Sequence, residues 1–139
     1  MDDDTLTARI CLALAVLPGW EYHEDDTPFS PGGTAIFFGA IESKPDRAVG
    51  VKVYGGADDR VTGIATRRVQ LRFRGAPRQR GGAERQAALA FTVLQGRMRR
   101  DGINDIERIS FSPPTTDDSG RDERTDNYLI TLDNLEAHT

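Results

Sequence analysis

The sequence predicts an α+β domain of two layers: a mainly antiparallel or mixed sheet of about five strands with two helices on one face. Three observations lead there. Two segments space their apolar residues at intervals of three and four, as one face of a helix requires. Five shorter segments run apolar or alternate at strand length, and Arg67–Arg74 alternates without a break. The order helix, strand, strand, strand, helix, strand, strand places strands next to one another in the chain. That favours antiparallel pairing and leaves two helices to cover one face.

The first helix is expected over Thr5–Leu17, where Leu6, Ile10, Ala13, Leu14 and Leu17 form the apolar stripe. Asp4 or Thr5 is its expected cap, and Pro18-Gly19 stops it. Cys11, Leu12 and Val16 add apolar residues on other sides, which predicts burial on more than one face. Trp20–Gly33 reads as an irregular acidic stretch. Thr34–Ile41 reads as an interior strand because Ile36 and Phe38 on one side and Ala35 and Phe37 on the other are all apolar. After a turn around Pro45, Val49–Tyr54 alternates Val49, Val51 and Val53 against Gly50, Lys52 and Tyr54. Gly55–Arg60 reads as a turn. In Arg67–Arg74, Val69, Leu71 and Phe73 face one way and Arg68, Gln70, Arg72 and Arg74 the other.

Gly75–Gly82 reads as a loop. The second helix is expected over Ala83–Arg100, with Ala87, Ala90, Phe91, Leu94 and Met98 as its stripe and Gly102 as its stop. Arg97, Arg99 and Arg100 suit the negative end of its dipole. Ile106–Ser112, with Ile109 and Phe111 on one face, and Tyr128–Asp133, with Tyr128, Ile130 and Leu132 on one face, complete the sheet. Between them Pro113–Asn127 reads as a long polar loop, and the tail 136–139 is expected to fray. At 139 residues the whole chain, 1–139, fits a single domain.

Composition narrows the function. No apolar run reaches the length of a membrane span, so no membrane partner is expected. The start, Met1-Asp2-Asp3-Asp4, is acidic where a secretory leader is basic. The lone Cys11 excludes an internal disulfide and reads as a small core residue. Charge is unevenly placed: Arg60–Arg100 holds eleven arginines and one acid, Glu84, for +10, while the rest carries −14, which together give the net −4. Either the two surfaces neutralise each other within one monomer, or they meet an anionic partner or a second copy.

Catalytic and cofactor patterns are missing. His23-Glu24-Asp25-Asp26 clusters metal-type ligands, but four neighbours in sequence seldom converge on one ion, so it reads as a solvated acidic loop. Asp117-Asp118-Ser119-Gly120 lacks the glycine and glutamate register of a calcium loop. Gly81-Gly82 precedes a helix without the Lys-Ser/Thr of a phosphate loop, and no nucleophile elbow is present. No catalytic, metal or cofactor site and no enzyme activity is therefore expected. The arginine strand resembles a phosphate-tracking surface, which leaves a small non-specific nucleic-acid-binding protein as a rival reading.

The chain also resembles the tail terminator (minor capsid) proteins of long, flexible-tailed bacteriophages. The residues that carry the likeness are Ala35–Ile41 leading to Pro45-Asp46-Arg47-Ala48-Val49-Gly50 and Val53-Tyr54, then Arg68–Gly75, then Gly120-Arg121 and Arg124–Tyr128 before the last strand. The resemblance implies a structural virion protein at the head–tail junction, assembled in the host cytoplasm. It implies a homohexameric ring that caps the tail tube, ends its polymerisation and meets head-completion or connector proteins. DNA passes through the lumen without specific binding, and no cofactor is involved. A neighbouring connector or head-completion protein is the alternative in the same class.

A closed ring needs a heterologous interface, one patch meeting a different patch on the next copy. Arg68, Arg72 and Arg74 are the expected basic side. Asp117, Asp118, Asp122, Glu123 and Asp126 are the expected acidic side.

Overall fold

The computed structural model describes residues 1–96 and 102–133. Helix α1 (Asp3–Leu14) begins where Asp2, in extended conformation, accepts the Thr5 N–H at 2.7 Å on its carboxylate. The cap is therefore Asp2 rather than Asp4 or Thr5, with Asp3 and Asp4 in the first turn at the positive end of the dipole. The helix also stops short of Leu17, because the chain tightens into three-residue hydrogen bonds ahead of Pro18. Leu6, Ile10, Cys11 and Leu14 are buried, but Leu12 and Val16 are exposed. The helix thus buries one stripe, not several sides.

Four strands follow: β1 (Trp20–Tyr22), β2 (Thr34–Phe38), β3 (Ala48–Asp58) and β4 (Ala65–Pro77). Helix α2 (Gly82–Leu94) separates them from β5 (Ile103–Phe111), β6 (Thr115–Thr116) and β7 (Arg121–Leu132). The α+β class holds, and the sheet is mixed, with seven strands in the order β1-β2-β3-β4-β7-β5 and β6 beside β7. β1 and β2 run parallel, as do β2 and β3, and the remaining pairs are antiparallel. β1 lies inside the stretch expected to be irregular.

The parallel β2–β3 pair departs from the expected antiparallel run. Residues 39–47 carry the chain back across the sheet without a helix. They lie so close over β3 that a Cβ on Gly50 would sit 2.5 Å from the Gly39 carbonyl oxygen and 2.9 Å from Ile41 Cγ1. Only glycine fits there.

The alternation in β4 is as expected: Val69, Leu71 and Phe73 are fully buried. In β7, Tyr128, Ile130 and Leu132 face the same core. Val69 stands opposite Tyr128 across the ladder, so both strands turn one apolar face to the helices. Ala83, Ala87 and Ala90 let α2 lie close on that face, and Leu6, Ile10 and Leu14 of α1 complete the core. The two helices share one face, as the sequence predicts.

Other expectations shift. β3 runs on to Asp58 through a bulge after Val53, so Gly55–Arg60 is largely strand. β4 likewise extends into the expected Gly75–Gly82 loop. α2 ends at Leu94, followed by Gly96 at a φ of 64°. Met98, Arg97, Arg99 and Arg100 lie outside the described residues, as does the tail 136–139. The expected long loop over Pro113–Asn127 is a hairpin: β6 pairs with β7 across the tight turn 117–120, where Gly120 takes a φ of 77°. Ile109 and Phe111 are exposed, and Ile103 and Ile106 are the buried residues of β5. A bulge between Arg108 and Ser110 shifts the alternation there by one residue.

Candidate assembly surface

The open face of the sheet is polar. Gln70 Nε2 donates to Asn127 Oδ1 at 3.4 Å, and Asn127 Nδ2 donates to Ser110 Oγ at 2.9 Å, a ladder across β4, β7 and β5. Beside it Arg68 is exposed, and Arg72 donates to Glu123 Oε2 of the same chain at 2.7 Å. That arginine keeps 55% of its side chain exposed, so water screens the pair and leaves it little stabilising weight.

Arg74 behaves differently. It is 4% exposed and lies beneath the 39–47 connection, donating to the backbone carbonyls of Asp46, Glu42 and Pro45 at 2.9, 2.8 and 2.7 Å. Burial, reinforced by nearby Arg121, holds its guanidinium below the ordinary arginine range. Arg121 grips the same connection from the hairpin side, donating to Ser43 O at 2.9 Å and to Asp46 Oδ1 at 3.3 Å. Two arginines therefore fasten an irregular crossover to the sheet.

The acidic residues split in the same way. Asp117 Oδ1 accepts the Ser119 and Arg121 N–H groups, each at 2.9 Å, and Oδ2 accepts Arg121 Nε at 2.8 Å. The backbone N–H of Arg121 is the chief reason its carboxyl lies below the usual aspartate value. Asp122 Oδ2 accepts the Gly81 N–H at 2.9 Å and so fixes the loop that begins α2. Asp126 is fully buried, between Arg124 Nε at 2.7 Å and Arg108 Nη1 at 3.3 Å. Asp118 is exposed at the tip of the β6–β7 turn.

Of the eight residues expected at a subunit contact, Arg74, Asp117, Asp122 and Asp126 thus hold the chain's own backbone or buried arginines. Arg72 and Glu123 hold each other. Arg68 and Asp118 are presented to solvent without an ion pair among the described residues.

The Asp126 site extends into a feature the sequence hid. The Arg108 guanidinium stacks 4.3 Å from the Phe91 ring centre, and that of Arg124 stacks 4.2 Å from Phe111. Phe111 itself is 57% exposed. An exposed aromatic ring on two arginines pre-set by a buried carboxylate is a composition common at protein interfaces. Its signal was the Arg108/Phe111 spacing, masked by the bulge that rotates the end of β5. Tyr128, next to this site, is fully buried and its hydroxyl has no partner among the described residues; burial pushes its pKa up.

No chemistry gathers elsewhere. Among the described residues no group of three or more His, Cys, Asp or Glu could hold a metal ion. His23 pairs with Glu21 at 3.2 Å, and Asp25 accepts the Thr27 N–H, so the acidic loop bonds to itself. Cys11 is buried, which pushes its thiol up to about 12, far from a nucleophile's range.

Comparison with known proteins places this geometry. The profile of a family described as bacteriophage tail terminator protein matches residues 24–134. No curated protein matches the chain. Among solved structures, a chain from the virion of a native gene transfer agent particle is similar at 13% identity, with a TM-score of 0.56. The match covers 94% of this chain and 91% of that one, a likeness of fold.

Proposed function

The chain belongs to the bacteriophage tail terminator family, and we propose that it acts as a six-membered ring that caps the tail tube, ends tube growth and forms the tail side of the head–tail junction. The family match across residues 24–134 carries this reading. In the proposed ring the partners are further copies of the chain, the tube protein below and connector or head-completion proteins above, with DNA passing through the lumen. The work is done by complementary surfaces and involves no bond-making step.

The placement of charge supports a contact between unlike patches. Arg68 stands exposed on the open face of the sheet with no ion pair among the described residues, while Asp118 stands on a turn at its flank. Oppositely charged, laterally separated patches are what a heterologous ring interface uses to fix register and partner. The rival reading as a phosphate-tracking protein loses ground, because Arg74 is spent on backbone carbonyls and Arg72 on Glu123.

Tail length in virions assembled without this protein tests the proposal. Overlong tubes lacking heads are expected of a lost terminator. Tails of normal length lacking heads point instead to a neighbouring joining protein and overturn the reading.

A further inference from the structure

A cleft of about 280 Å³ opens at the end of the domain where β1, β2 and α2 begin. One face of α2 lines it through Arg85, Gln86 and Leu89, and Arg47 lines it beside Gly33. Arg47 is fixed by donating to the Gly32 carbonyl, and Arg85 is exposed with no ion pair among the described residues. The start of α2 is already met by Asp122, which accepts the Gly81 N–H, and by Glu84 in the first turn, so the two arginines are the cleft's positive charge.

The cleft holds a second, independent sign of an occupant. Gln86 is 5% exposed, yet neither its amide nitrogen nor its amide oxygen has a hydrogen-bond partner among the described residues. A buried carboxamide with both ends unmet is rare in a native fold and marks a place where something polar is missing. A carboxylate between Arg47 and Arg85 would take charge-assisted bonds from both guanidinium groups, and a turn of the buried Gln86 side chain towards the cleft would bring its amide N–H to the same group.

The β6–β7 turn, beside the loop that leads into α2, carries a carboxylate suited to it. The Asp117 side chain pins the β6–β7 turn through three hydrogen bonds, and Arg78 N donates to Gly120 O from the neighbouring loop. This rigid turn presents Asp118. Strand order sets β1 and β6 on opposite sides of the sheet. The cleft and the turn nevertheless share one end of it, where β1, β2 and β7 start and β4 finishes. Because cleft and turn lie at one end of the sheet, a rotation about an axis along the strands can set the turn of one copy against the cleft of the next. Such a contact is head-to-tail and can close into a ring.

We propose that this cleft is a receptor for the β6–β7 turn of a second copy, with the Asp118 carboxylate seated between Arg85 and Arg47 above Gln86. The proposal rests on the ring reading and adds to it which surfaces meet.

Charge reversal of the full-length chain tests it, with ring and monomer followed by native mass spectrometry. Arg85→Glu and Asp118→Arg are each expected to raise the concentration needed for rings about tenfold or more, and the double variant to recover most of that loss. Both positions are exposed, so thermal unfolding of the monomer should not move. Single variants that form rings at the wild-type concentration overturn the proposal while leaving the ring intact. Loss with Arg85→Glu but not with Asp118→Arg overturns Asp118 as the occupant. A wild-type chain that forms no ring, even on tail tubes, fails the underlying reading instead. As an independent arm, Leu89→Cys with Asp118→Cys should give an oxidised ladder up to ring size, because Cys11 is buried and silent. Rings without a ladder count against the contact.

Discussion

Replacing Arg74 with methionine should destabilise the monomer, whatever it does to assembly. The guanidinium donates to three backbone carbonyls of the 39–47 connection at 2.7–2.9 Å. A hydrogen bond from a charged donor nets about 1.5–3 kcal/mol. Three do not add in full, because the connection can lift and return its carbonyls to water, and because methionine also removes the desolvation cost of a buried charge. A loss of about 3–4 kcal/mol is the outcome. Unfolding entropy of about 2.1 cal/mol/K per residue, over 139 residues, makes roughly 0.3 kcal/mol/K, so Tm should fall by about 10–13 °C. Circular dichroism melts measure this, and hydrogen exchange should show local opening at 39–47 and the start of β3 on top of the faster global exchange of the core amides. A Tm within about 3 °C of wild type would refute the assignment of Arg74 to the interior and return it to the surface role its place in the strand pattern suggests.

Three further outcomes follow from the same geometry. Asp126→Asn leaves Arg108 and Arg124 without their buried anion and should cost about 3 kcal/mol in denaturant unfolding; a change under about 1 kcal/mol would show that the stacked phenylalanines hold the arginines unaided. Tyr128→Phe removes a buried hydroxyl that has no partner among the described residues and should leave stability unchanged or raise it by about 0.5–1 kcal/mol, whereas a clear loss would mean that the hydroxyl is bonded. Cys11 should resist alkylation at pH 9, where an ordinary thiol is half ionised, and react once the chain is unfolded. Because its folded pKa lies above 9.0, the unfolded state sheds the proton first, so its contribution to stability is intact below pH 9 and is lost as pH rises towards about 12. Rapid labelling of the folded chain at pH 9 contradicts the burial.

The legible parts of the fold were those fixed by local alternation. Val69, Leu71 and Phe73 pointed to the core as their spacing demanded, and so did Tyr128, Ile130 and Leu132. What escaped were features set by partners distant in sequence. β1 is three residues long and exists because Trp20–Tyr22 finds β2 alongside, which no local pattern encodes. The Pro113–Asn127 segment looked like a loop because its strand half, Arg121–Asp126, is polar on both faces. It pairs all the same, since β4 and β6 flank it and ion pairs take the place of apolar contacts.

The proposed contact surface was legible as charge and illegible as geometry. Sequence alone picked out Arg74 and Asp126, yet a strand's alternation cannot tell an arginine facing solvent from one covered by a crossing segment. Asp118 differs from Asp117 by a single position in a turn, and only the turn's hydrogen bonds decide which carboxylate is spent and which is offered. Gln86 and Arg85 carried no signal at all, because they meet in a cleft assembled from the start of α2, the loop after α1 and the strands β1 and β2.

In the proposed assembly, identical copies close into a ring on the end of a tail tube. Native mass spectrometry of the full-length protein, alone and mixed with assembled tubes, tests it most directly. A closed ring gives a species of six times the 15.3 kDa chain, free or released from tube ends. A chain that stays at 15.3 kDa in both conditions contradicts it.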